Sequence, residues 1–383
     1  MVNSKYECQL CHRRPRSKNP TRPESRDEII EFAKRWKTKR CQSPYSLLSE
    51  QLTEADAVGM TNFYFSVMRR LVRIYSRWAQ PTHRSLDYNK AVHDFYFDIY
   101  LYGVSRSEEI RMLRALYRFQ LSCNLFGATH EWSRDREMPH WDDRDIRELF
   151  FDNFEPWEVE EWMCIYFFLE HGYIRTFGMP YPRDKLMYPW AGARQPFEEH
   201  HPYPYNCINT WRRWSYIEPR LRGLVTRGLE LFYYARIWDG RRRIQHDCFV
   251  DMGNEVHLGP SKIVPSIGHL PIHPALEPSE RSLKQERRDP LPFQGDKESR
   301  QAGDDSQYPP FAWTVLWGGT YSNMYGWTWM PHRLHRWGYV MWDADRIRQR
   351  GAQDALRQQW ETAWQGRDPR DLPLNWVPEH LRV

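Results

Sequence analysis

The stretch Glu155–Gly172, EPWEVEEWMCIYFFLEHG, constrains the fold more than any other part of the chain. It enters polar, with Glu155, Glu158, Glu160 and Glu161, and Pro156 falls in the first turn, where a missing N–H costs nothing. From Trp162 to Leu169 every position is apolar, and a helix apolar on all sides is the buried centre of a helical domain. Gly172 predicts its stop. The apolar run is far too short to cross a bilayer, so no membrane partner is expected.

Other helices must surround such a centre, and the sequence supplies them. DEIIEFAKRWKTK begins near Asp27 with acidic residues in the first turn and basic ones in the last, matching the helix dipole. After a Thr53 cap, Ala57, Met60, Tyr64, Val67, Leu71 and Ile74 keep helical spacing up to Pro81, with Arg69, Arg70, Arg73 and Arg77 projecting elsewhere. Tyr88–Tyr102 carries a further apolar face. The next helix is capped by Ser105 or Ser107 and ends at Gly127, with Ile110, Leu113, Leu116, Tyr117, Leu121 and Leu125 as its apolar stripe. Arg111, Arg114 and Arg118 form a second stripe on it, and the acidic end of the central helix is their expected electrostatic partner.

The stretch 178–209, rich in Pro, Tyr and His, reads as an ordered aromatic loop and not as helix. Helix returns at Ile208–Asp239. Residues 258–310, with nine prolines and runs such as KQERRD, read as a disordered linker or insertion. The segment FAWTVLWGGTYSNMYGWTWMPHRLHRWGYVMWDADRI is too aromatic to stay in water and must pack back onto the helices, followed by a last helix from Asp343 to Trp364. The expected architecture is mainly α: a multi-helix bundle-like domain with long aromatic loops, completed by the Trp-rich C-terminal block. In chain order this gives a basic mobile arm at 1–26, a helical domain at 27–257, the insertion at 258–310, the Trp-rich segment at 311–364 and a tail at 365–383.

The net charge of +5 is small against 55 basic and 50 acidic residues, which excludes a wholesale polyanion binder. The bias is local: residues 1–40 carry 12 Lys or Arg against 5 Asp or Glu. Nucleic-acid association is therefore expected, if anywhere, at that end. Seven scattered cysteines form no disulfide framework and favour a reducing compartment, and MVNSKYECQL has no apolar run behind its lysine. A cytoplasmic or nuclear protein is expected.

Cys8-Gln-Leu-Cys11-His12 is the sharpest short motif. With Cys41 it could supply a zinc knuckle; the alternative is a mobile basic tail with free thiols. The His-rich segments around His200, His201, His246, Asp247, Cys248, His257, His269 and His273 have no ordered metal spacing. Nucleophile elbows and phosphate-binding glycine loops are absent. Asp343 and Asp345 read as caps of the final helix, with Arg346 and Arg348 as neighbours.

With RMLRALYRFQLSCNLFG (Arg111–Gly127), the central stretch and RWGYVMWDADRI (Arg336–Ile347), the chain resembles a broad group of uncharacterised proteins from filamentous fungi. The likeness spans roughly 45–350. Some of those relatives carry an N-terminal F-box, which docks a substrate receptor onto a cullin ubiquitin ligase; no leading L-P-x-E segment occurs here. The resemblance implies kinship of fold and carries over no catalytic residue.

These readings leave three functions in order. The first is a non-enzymatic interaction or adaptor protein, with Tyr203 and Tyr205 of the aromatic loop and Arg111, Arg114 and Arg118 as contact residues. The second is a nucleic-acid-associated protein using residues 1–40 and the zinc knuckle. The third is an enzyme with a pocket under the His-rich loops.

Overall fold

The computed structural model describes residues 26–42, 53–79, 103–126, 143–176, 221, 223–237, 280–291, 293, 308–324, 333–349 and 352–372. They form a mainly α fold, and the only β pairing among them is an isolated bridge between Pro290 and Thr320. The chain divides into two compact units, residues 1–70 and 71–383.

In the first unit, α1 (Arg26–Gln42) buries Ile29 and Ala33. Helix α2 (Glu54–Phe63) opens on a complete capping box: the Thr53 hydroxyl accepts from Asp56 N–H, and the Asp56 carboxylate accepts from Thr53 N–H. A π-helical turn, Tyr64–Met68, follows and runs directly into α3 (Arg69–Trp78), most of which belongs to the second unit. Of the expected face, Val67 and Leu71 are buried, Tyr64 and Ile74 half-buried, and Ala57 and Met60 exposed; Met68, Val72, Tyr75 and Ser76 are buried as well.

The second unit is built around α6 (Pro156–Thr176), which follows α4 (Arg106–Phe126), α5 (Asp143–Leu149) and a 3-10 turn, Phe151–Asn153. The whole interval Trp162–Leu169 is buried except Phe167, which is half-buried. Trp162 stacks on Tyr166, meets Phe119 and Phe151 edgewise or tilted, and donates its indole N–H to the Ser122 hydroxyl at 3.0 Å. A buried indole satisfied in this way combines large apolar burial with a paired polar tip.

The apolar stripe of α4 is only partly the expected one. Leu116 and Leu125 are buried as expected, together with Met112, Ala115, Phe119, Cys123 and Phe126, whereas Leu113 and Leu121 are half-buried and Ile110 and Tyr117 exposed. Both sides of this helix are apolar by sequence, and the side that also holds Glu108, Arg111 and Ser122 is the one that turns inward. Polar groups with designated partners decided the rotation.

Gly172 does not end α6. A Cβ there would lie 2.4 Å from Phe232 of α7 (Leu229–Ile237), so the glycine marks a close helix-to-helix approach and not a cap. Phe232 in turn meets Phe168 and Tyr173 edge-on.

Residues 280–293, inside the stretch expected as a linker, contain helix α8 (Glu280–Glu286) and bonded backbone. The prolines of that region flank a proline-free run, SERSLKQERR, which has strong helix formers and an acidic first turn. Leu291 N–H donates to Gly319 at 2.7 Å and Tyr321 N–H to Asp289 at 2.7 Å, tying the segment to the aromatic block.

That block comprises α9 (Phe311–Leu316), α10 (Arg333–Arg336), a 3-10 turn at Tyr339–Met341, α11 (Ala344–Gln349) and α12 (Ala352–Trp364). It packs on α6 as anticipated for a segment so rich in indoles. Trp157 of α6 meets Trp313, and the ring contacts continue through Trp317, Trp360 and Trp364. Of the expected last helix, the described residues form α11, ending at Gln349, and α12, beginning at Ala352.

Candidate functional site

The unusual chemistry of the described residues is a set of buried charges on α4 and α6. Glu108, Glu158, Glu160 and Glu161 each retain at most 1% of their exposure. A carboxylate that deep in apolar surroundings must be paired and hydrogen-bonded. All four are paired, Glu158 and Glu161 with a shared arginine, Arg118.

Glu158 and Glu161 face α4. Arg118 Nη1 donates to Glu161 at 2.8 Å and its Nη2 donates to Glu158, while Arg114 donates to Glu161 at 3.1 Å. Glu158 also reaches back to accept from Glu155 N–H at 2.9 Å, which satisfies a free donor of the helix terminus. Burial pushes the Arg114 guanidinium down, but Glu161 and Glu158 outweigh it and hold the group above its ordinary value.

Arg111 does not join them. Its guanidinium donates to the Met341 carbonyl at 2.8 Å and to Asp343 at 3.4 Å, on the C-terminal block. One turn is enough to divide the stripe: Arg111 lies on the inward face and Arg114 and Arg118 lie to its side.

At the start of α4, Ser105 and Glu108 form a capping box: the Ser105 hydroxyl accepts from Glu108 N–H at 3.1 Å, and Glu108 accepts from Ser105 N–H at 3.0 Å. The same carboxylate accepts from Asp343 N–H at 3.1 Å, where α11 begins. Asp343 stands at the cap position of α11, as expected, but its side chain turns away to accept from Ser107 at 2.6 Å and from Ser105. The cap residues of the two helix starts therefore exchange hydrogen bonds. Arg346 seals the exchange with a bidentate pair to Glu108, at 2.6 and 2.7 Å, and a bond to the Gly103 carbonyl.

Glu160 faces the block alone. His335 Nε2 lies 2.5 Å from its carboxylate, and the Tyr339 hydroxyl donates to the same oxygen at 3.0 Å. His335 is fully buried, its ring stacked on Phe167. Beside this cluster are Cys164 and Tyr75. Burial, then Glu160 and Glu161, push the Cys164 thiol well above its usual range, and burial, then Cys164, does the same for Tyr75. Burial and Glu160 raise Tyr339 as well. A thiol held protonated is a poor nucleophile and a poor metal ligand. The arrangement can fix elements against each other, without presenting Glu160 or His335 to solvent.

Cys8, Cys11, His12, Tyr203, Tyr205 and the histidines of 200–273 lie outside the described residues. Cys41 falls in α1, with its side chain outside them too. No group of three metal-capable side chains occurs among the described residues, and no described helix is long and apolar enough to cross a membrane.

No family model matches the chain, and neither a curated protein nor a solved structure does. The site must be read from its own geometry. The Ser105-x-x-Glu108 spacing before an apolar run announced the capping box of α4; nothing in the sequence announced His335, because the two histidines of HRLHRW match no ordered metal or catalytic spacing.

Proposed function

We propose that this chain is a non-enzymatic interaction or adaptor protein of the cytosol or nucleus. The observation that supports the reading is α2. This helix is well capped yet has no buried residue. Val58, Met60 and, on the following π turn, Phe65 are 53%, 54% and 54% exposed. Apolar side chains gathered on a defined helix are the usual mark of a protein contact. The kinship with filamentous-fungal proteins is proposed alongside and adds no activity.

The test is site-specific photocrosslinking in the full chain. A benzophenone side chain at Phe65 should give a discrete adduct with one protein, and Val58→Asp should abolish it. If adducts at Phe65 are no more specific than those at the exposed control Gln358, the interaction reading is wrong.

A further inference from the structure

Helix α3 carries a second surface of a different kind. Arg69, Arg73 and Arg77 recur every fourth residue, so they form one row down the helix at intervals of about 6 Å. All three are exposed, while Leu71, Val72, Tyr75 and Ser76 of the same helix are buried on the opposite side. The row belongs to a single helix, and its spacing is set by helix geometry alone.

Like charges four residues apart repel. Proteins ordinarily relieve such a row with interleaved carboxylates, as this chain does for Arg114 and Arg118. Here the opposite is found. No acidic residue occurs between Asp56 and Asp87, and none of the three arginines has an ion pair among the described residues. An uncompensated row of guanidiniums is complementary to a row of anions.

We propose that the Arg69–Arg73–Arg77 row of α3 docks the sugar-phosphate backbone of a nucleic acid. Guanidinium binds phosphate through paired N–H donors, and a regular cation interval suits a polymer whose anions repeat. Two steps along one strand of a duplex cover about 6.8 Å, close to the interval of the row. A bilayer is the poorer fit, because the exposed side chains of α3 itself are all arginines and the large exposed apolar group nearest to them is the single ring of Phe65, on the preceding π turn. Contacts of this type fix position and affinity and read no sequence. The inference concerns different residues from the protein-contact reading and survives its failure.

The experiment uses the full chain and fluorescence anisotropy with a labelled oligonucleotide of about 30 nucleotides, single-stranded and as duplex, between about 50 and 200 mM salt. The variant Arg69→Gln/Arg73→Gln/Arg77→Gln should keep its melting temperature, since all three side chains are exposed. It should flatten the slope of log K against log salt by about 2 to 3, and the corresponding triple Lys variant should restore the slope. The two forms of the oligonucleotide separate single-strand from duplex recognition. Absence of binding, or an unchanged slope in the Gln variant, overturns the proposal; the second result would place any binding elsewhere, as in the basic residues 1–40. Binding to phosphatidylserine vesicles that is lost in the Gln variant, with no oligonucleotide binding, overturns it in favour of a lipid surface.

Discussion

A Cβ at position 172 would stand 2.4 Å from Phe232 Cε2 and 2.5 Å from Cζ, distances that side-chain carbons essentially never show. The phenyl ring is itself wedged against Phe168 and Tyr173, so it cannot give way cheaply. Gly172→Ala is therefore expected to destabilise the fold by about 1–3 kcal/mol, the usual cost of overpacking, despite the better helix propensity of alanine. Urea unfolding measures it, and Phe232→Leu in the same chain should recover part of the loss. Were Gly172→Ala stabilising, the close approach would not exist. Gly338 is a second position of this type: its φ of 60° lies in the left-handed region, and a Cβ would meet the Tyr75 hydroxyl.

Between elements, the hydrogen bonds exchanged by the starts of α4 and α11 have the strongest consequence. Glu108 serves its own helix, the start of α11 and Arg346 together, so removing either charge leaves the other buried. A double-mutant cycle over Glu108→Ala and Arg346→Ala should show a coupling of about 1–3 kcal/mol, and hydrogen exchange should quicken in both helices at once. Independent effects at the two sites would mean that the helix starts are held separately. The 3-10 turn Pro369–Asp371 is tied in a related way, through Arg370, which donates to Thr320 Oγ1 and the Tyr321 carbonyl and lies over Trp317. Burial pushes the Asp368 carboxyl up, but its bonds from Arg370 prevail and hold it below the ordinary carboxylate value. A depressed carboxylate contributes stability above its unfolded pKa of about 3.9 and loses it as pH falls through the folded value. Asp368→Asn should therefore lower the melting temperature at neutral pH and flatten its decline below about pH 4. An acid limb identical to that of the parent chain would rule this contribution out.

On the scale of the second unit, α6 is the axle on which both sides are mounted. Its Glu158 and Glu161 hold α4 and its Glu160 holds the C-terminal block. Removing one partner of the buried Glu160–His335 pair, as in Glu160→Leu, should cost about 3–5 kcal/mol, and replacing both by leucine should cost less than either single change. Denaturant unfolding of the three variants decides it. If the double variant loses more than the sum of the single ones, the pair is not held by mutual compensation. In the same helix, Ile165 is fully buried, and Ile165→Asp should leave no cooperatively melting protein.

The mainly α architecture was legible in the sequence because it depends on local quantities: the unbroken apolar run Trp162–Leu169, the Thr53 and Ser105 caps, and an indole density in 311–342 that water does not tolerate. Helix rotation and termination were not. The face expected through Ala57 and Met60 is buried only from Val67 on, α4 chose between two apolar sides, and Gly172 served an approach to Phe232 where a stop was expected. The candidate site divided in the same way. Arg114 and Arg118 could be matched to an acidic helix end by spacing, but the exchange between Glu108 and Asp343 and the meeting of Glu160 with His335 join residues 235 and 175 positions apart. Periodicity and capping act over one or two turns of chain. Which carboxylate receives which base is decided only when burial removes water as the competing partner, and that happens in the tertiary structure.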